Sequence, residues 1–183
     1  VRGRTVVAGG LKQVLQLQTV VGRAVFIGDR HRANAAARRA TVEGDQHGSD
    51  DVAALLEHLG EQRAVVGGTG LGATITQRTC LEHPGRVRAA ILISVEDIPA
   101  AAAIGHDRSF RSVDELAAIT APTLVFPGMD ERHPAALAEN AARVIPDGRL
   151  APASLSSTLR TAEDLADAFA PAIRRFLAEQ HGH

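Results

Sequence analysis

The run Arg63-Ala64-Val65-Val66-Gly67-Gly68-Thr69-Gly70-Leu71-Gly72-Ala73 constrains the fold of this chain more than any other stretch. An apolar segment of strand type ends in glycines, and a helical pattern begins with no linker between them. A strand that turns straight into a helix needs positions that accept left-handed backbone and close approach of two chain segments, and glycine supplies both. Such a turn also leaves backbone N–H groups and one tip residue facing outward above the sheet. The turn is therefore the first place to look for a site.

The segments around it repeat the strand-then-helix order. Thr5 to Ala8 reads as a short buried strand ending at Gly9-Gly10, and Leu11, Val14 and Leu15 have helical spacing over about 11–20. Ala24 to Ile27 is a second strand, left by Gly28-Asp29-Arg30. Residues 30–48 are polar and lack steady periodicity, which predicts an irregular loop. Ser49 reads as a helix cap, with Asp50 and Asp51 in the first turn and Val52, Leu55, Leu56 and Leu59 as a buried stripe ending at Gly60. After the strand 63–67 and the turn, a helix is expected to about His83, with Leu71, Ile75 and Leu81 inward and Pro84-Gly85 as its stop. Val87 to Ile93 reads as a strand, and its unbroken apolar run Ala89 to Ile93 marks it as covered on both faces.

Residues 95–111 read as a loop. Ser112-Val113-Asp114-Glu115 matches a capping box and predicts a helix start. Pro122 to Phe126 is a strand closed by Pro127-Gly128. A helix follows over about 134–144, with Leu137, Ala141, Val144 and Ile145 inward, and 149–151 reads as a last short strand. Thr161 opens a final helix with Leu165, Phe169, Ile173 and Phe176 along one face. Pro171 inside that pattern predicts a kink or two abutting helices.

Strands alternating with helices imply parallel pairing and right-handed crossovers. The expected fold class is α/β: a three-layer sandwich around a mostly parallel sheet of about six strands, formed as a single domain over 1–183. In such folds ligands gather beyond the C-terminal ends of the strands. Those ends are Gly9-Gly10, Gly28-Asp29, Gly68 to Gly72, Ser94 to Asp97 and Gly128 to Glu131.

Composition excludes several classes of function. With 20 basic and 21 acidic residues the net charge is −1, which offers no large electrostatic footprint for nucleic acid. The cluster Arg30, Arg32, Arg38 and Arg39 reads as a solvated loop. There is no Trp or Tyr to stack bases. No apolar run approaches the ~20 residues of a membrane span. Cys80 is the one cysteine, so no internal disulfide forms, a buried apolar role is expected for it, and a reducing, cytoplasmic setting is implied. His31, His47 and His106 fall in loops without metal-ligand spacing, so no metal or other cofactor is expected. Oligomeric state is not readable.

Several of these segments resemble the α/β-hydrolase superfamily. Leu59-Gly60 through Ile93 is similar to its middle: a Leu-Gly helix end, a Val-rich strand, a glycine-rich elbow, a helix closing on His83-Pro84, then Arg86-Val87-Arg88 and an apolar strand. Ala121-Pro122-Thr123-Leu124-Val125 followed by Gly128-Met129-Asp130 resembles the strand that presents the catalytic acid. Asp29-Arg30 resembles the Asp-Arg that follows an earlier strand, and Gly9 and Gly10 occupy the place of the oxyanion loop. The resemblance covers nearly all of the chain. The family's first two strands are absent, which leaves open that the chain is a fragment. Residues 95–111 form a short connector where a cap domain would be inserted.

The resemblance implies a nucleophile at the elbow, and here the sequence departs from Gly-x-Ser-x-Gly. One register puts Gly67 first and Thr69 at the nucleophile; the other puts Gly68 first, Gly70 at the nucleophile and Gly72 last. The second has both flanking glycines, and its apex accepts the positive φ that a β-branched threonine resists. Gly70 is therefore expected at the apex, where it cannot form an acyl intermediate. Asp130 or Glu131 stands in the position of the acid. Residues 151–160, where the family would place its histidine, contain none. His133 follows the acid too closely for that position, and a helix-start or surface role is expected; His181 and His183 lie in the tail. What the resemblance leaves is an anion-binding turn: the N–H of Leu71 with those near Gly10, and the Thr69 hydroxyl to orient a ligand or a water.

The expectation is a hydrolase-fold protein acting on, or only binding, a small acyl or carbonyl compound, with the second outcome favoured. The same turn also fits a dinucleotide fingerprint, Gly68-x-Gly70-x-x-Ala73, with Glu96 after the next strand as a ribose ligand.

Overall fold

The computed structural model describes residues 6–8, 24–27, 45–95 and 113–180. Six strands, β1 (Val6–Ala8), β2 (Ala24–Ile27), β3 (Ala64–Thr69), β4 (Val87–Ile93), β5 (Thr123–Phe126) and β6 (Gly148–Leu150), pair in parallel in the order β1-β2-β3-β4-β5-β6. Among the described residues, four α-helices accompany them: α1 (Asp45–His58), α2 (Leu71–Glu82), α3 (Ala135–Val144) and α4 (Ala162–Glu179).

The central strands are apolar on both faces because both faces are covered. Ala64, Val66, Ala90, Leu92 and Val125 meet α1, α2, α3 and the 3-10 helix Val113–Ala118. Val65, Ala89, Ile91, Ile93, Leu124 and Phe126 meet α4 through Phe169, Ile173, Phe176 and Leu177. The three layers expected from the sequence are thus present. Full burial of each Val, Leu or Ile in this sandwich contributes ~1.5–3 kcal/mol. Phe126 and Phe169 stack at 4.7 Å between centroids with a 50° tilt, a favourable offset geometry.

Several local expectations are corrected. Ser49 does not cap α1, which begins at Asp45 and includes residues 45–48 and the backbone of His47. Ser49 is fully buried, and its Oγ donates to the Glu82 carboxylate at the end of α2. Asp50 holds His83 Nε2 at 2.9 Å beside it. The small side of Gly48 lets α1 lie against Ile75. The Ser49 hydroxyl is thus engaged with α2 rather than with the N–H groups a cap would serve.

Of the inward candidates on α2, Ile75 and Leu81 pack half-buried against the core, while the fully buried positions are others. These are Gly72, Ala73, Thr74, Thr76, Gln77, Thr79 and Cys80. Most of these buried side chains are small, Gln77 excepted. Thr76 and Thr79 satisfy their hydroxyls within the helix, donating to Gly72 O and Ile75 O at 2.8 Å each. Cys80 is 1% exposed, and burial pushes its thiol up to about 12.

Pro171 neither ends α4 nor divides it into two helices, because it lies on the exposed side, where water can satisfy the freed carbonyl one turn back. Thr161 caps α4 as expected, through a reciprocal box: Asp164 N donates to Thr161 Oγ1 at 3.0 Å and Thr161 N to Asp164 Oδ2 at 2.8 Å. These bonds from Thr161, joined by the Arg160 N–H, hold the Asp164 carboxyl below the usual carboxylate range. Of the predicted capping box at 112–115, Ser112 lies outside the described residues, and Val113–Ala118 is a 3-10 rather than an α-helix. The helix over 11–20 and the connector after Val95 also lie outside them.

Candidate functional site

The site is built where β3 gives way to α2. Thr69 is the last strand residue, paired with Ile93 of β4, and Gly70 follows with φ 52° and ψ −121°. Gly70 N–H donates to Ile93 O at 3.1 Å, and Gly70 O accepts from Ala73 N at 2.9 Å and Thr74 N at 3.2 Å. The apex is thus tied to β4 on one side and to the first turn of α2 on the other. Its backbone lies in a region that a β-branched residue resists, so Gly70, not Thr69, takes the turn.

Gly68 and Gly72 flank the apex in direct backbone contact. A Cβ built on Gly68 would lie 2.8 Å from Gly72 Cα and nearer still to its carbonyl group. Leu71, half-buried, opens α2; N–H groups in a first helical turn lie outside the intrahelical ladder and carry the positive end of the dipole. Gly9 and Gly10, proposed to complete an oxyanion hole, lie outside the described residues, as do Glu96, His31, His106, His181 and His183.

At the top of β4, Ser94 has φ 59° and is the one positive-φ residue other than glycine among the described residues. It is 5% exposed, and its N–H donates to Phe126 O at 3.0 Å, tying β4 to β5. A left-handed serine costs about 1–2 kcal/mol. The sequence reading placed Ser94 at a strand end and gave it no role; an apolar run ending in serine carries no signal of positive φ.

Two residues past β5 the chain folds back on itself. Asp130 Oδ1 accepts from His133 N at 2.9 Å and contacts His133 Nδ1 at 2.8 Å. Gly128 makes the turn possible: a Cβ there would press on the carbonyl carbon of His133 at 3.0 Å and on its side chain more closely. Partial burial raises the Asp130 pKa, but the hydrogen bonds and the charge of His133 outweigh it, leaving the carboxyl below its ordinary 3.8. The His133 side chain is 15% exposed. The helix-start role expected for it is what the structure shows: it stands one residue before the Pro134 cap of α3, with its ring on Asp130. The Asp-x-x-His spacing was the available signal. Glu131 is exposed and points to no comparable partnership.

The segment after β6, where a histidine would complete a hydrolase triad, passes beside β5. Ala151 N donates to Val125 O at 2.8 Å and Leu155 N to Pro127 O at 3.1 Å, and Leu155 and Leu159 pack on the α4-side core. It brings no imidazole to the strand ends. Among the described residues no group of three His, Cys, Asp or Glu is placed to hold a metal ion, and no helix is long and apolar enough to cross a membrane.

No protein-family model matches the chain, and no curated protein matches it significantly in sequence. Solved structures do match in shape. Rv0554 from Mycobacterium tuberculosis superposes with a TM-score of 0.65 at 18% identity, over 85% of this chain and 89% of its own. A malate-bound thermophilic esterase from Thermogutta terrifontis gives 0.62 at 21% identity, over 75% and 73%. An alpha/beta fold family hydrolase from Bacillus anthracis str. Sterne gives 0.58 at 10% identity, over 73% and 74%. The chain has the α/β-hydrolase fold.

Proposed function

We propose that this chain is a hydrolase-fold protein without acyl-enzyme chemistry, which binds a small acyl or carbonyl compound at the C-terminal ends of β3 to β5. The observation that carries this reading is Gly70: the position that would present a nucleophile has no side chain, while the turn that would position it is kept. The first-turn N–H of Leu71 supplies donors of the kind that hold a carbonyl or carboxylate oxygen. A single buried cysteine suits a reducing, cytoplasmic setting.

A second reading is favoured by the Asp130–His133 pair. A carboxylate on imidazole Nδ1 is the contact that orients a general base, although His133 Nε2 is itself buried. Nitrophenyl acetate and butyrate assays separate the two. The binding reading expects wild type, Thr69→Ala and Asp130→Asn all at the buffer rate, with sodium acetate or butyrate raising the melting temperature. Turnover that falls in either variant overturns it. A micromolar fluorescence response to NAD(H) would support the dinucleotide fingerprint instead.

A further inference from the structure

Two adjacent strands leave the sheet at the same level, and both do so through left-handed residues. Thr69 pairs with Ile93, so Gly70 and Ser94 are the next positions up on β3 and β4. Their φ angles are 52° and 59°, and Gly70 N–H reaches back to Ile93 O, the carbonyl immediately before Ser94. At Gly70 the conformation is free; at Ser94 it is strained, since a side chain at positive φ crowds its own carbonyl. Glycine or asparagine would fit that backbone more easily. Strain of this kind concentrates at ligand clamps and active sites. Ser94 is also locked from the far side, through its N–H on Phe126 O, so its position is fixed by both neighbouring strands.

We propose that Ser94 is a ligand-binding residue of this site: its hydroxyl donates to an oxygen of a carboxylate or carbonyl ligand held above Gly70. The inference rests on the binding reading given above and adds to it the group that orients the ligand. The apex puts no side chain at the tops of β3 and β4, where a nucleophile would otherwise stand. Ser94 is the hydroxyl on the neighbouring strand at that level. The contact is a hydrogen bond, with no bond made or broken in the ligand.

Isothermal titration of the intact chain with sodium acetate and sodium butyrate at constant ionic strength tests this, with melting curves alongside. Ser94→Ala keeps the strained backbone and removes the hydroxyl; binding is expected to weaken about tenfold, the size of one hydrogen bond to a charged group. Ser94→Gly removes both, so binding weakens equally while the melting temperature rises. Ser94→Asn accepts the backbone and returns a donor, and is expected to hold affinity within a few-fold of wild type. Unchanged affinity in Ser94→Ala, or affinity restored in Ser94→Gly, overturns the role of the hydroxyl and leaves the binding reading intact. A wild-type chain that binds neither carboxylate overturns both.

Discussion

Gly68 and Gly70 stand two residues apart and answer to different forces. At Gly70 the requirement is conformational; at Gly68 it is spatial, since a methyl group would enter the backbone of Gly72. Gly68→Ala is therefore expected to destabilise the fold by about 3 kcal/mol or more. Gly60→Ala is the control: its φ is +69° and nothing lies within 4 Å of the Cβ position. It should cost about 1 kcal/mol, and urea melts of the two variants give the comparison. Cys80 makes a pH prediction. Its thiol ionises near 12 in the folded chain against an ordinary 9.0. Folded and unfolded chains hold that proton equally below pH 9; above it the unfolded chain releases the proton first, so stability is lost as pH rises from 9 toward 12. Native protein at pH 8 should resist a thiol reagent that labels it at once in guanidinium. At this scale the apex residue was legible in the sequence because positive φ selects against threonine. The Asp130–His133 turn was not, because its closure depends on the bare Gly128 packing under His133, a tertiary fact.

Among the elements, α2 shows why periodicity finds a helix more readily than its buried side. Ile75 and Leu81 do pack on the core, half-buried, but the fully buried positions are mostly small or hydroxylated residues, near the close Gly68–Gly72 contact of strand and helix. The start of α1 was misplaced for a related reason: Ser49 has the chemistry of a cap, but its bond to Glu82 lies 33 residues away in sequence. Strands β2 to β5 were legible to within two residues, since continuous apolar runs have few alternatives once helices flank them. In α4, of the expected kink or two abutting helices, the second is not seen: one helix runs through Pro171, whose exposure makes the defect tolerable rather than absent. Replacing it with alanine should return the missing backbone hydrogen bond and raise stability by about 1–3 kcal/mol, read as an increase in the urea midpoint with unchanged slope.

Taken as a whole, the molecule is most firmly held at β3 and β4, which are paired on both edges and covered on both faces. Hydrogen exchange should be slowest at the amides of Val65 to Gly67 and Ala89 to Ile93, and faster at β6, where Arg149 and Leu150 are exposed. Comparable protection at β6 would contradict this ordering. The two faces are also completed at different times. On one, each covering helix lies between the strands it joins, so it is translated along with them. On the other, Val65, Ile91, Ile93 and Phe126 are covered by α4, which follows every strand. Among the described residues, that greasy wall lacks its covering helix until residues 162–179 emerge. A nascent chain stalled short of that helix would be a natural client for chaperones.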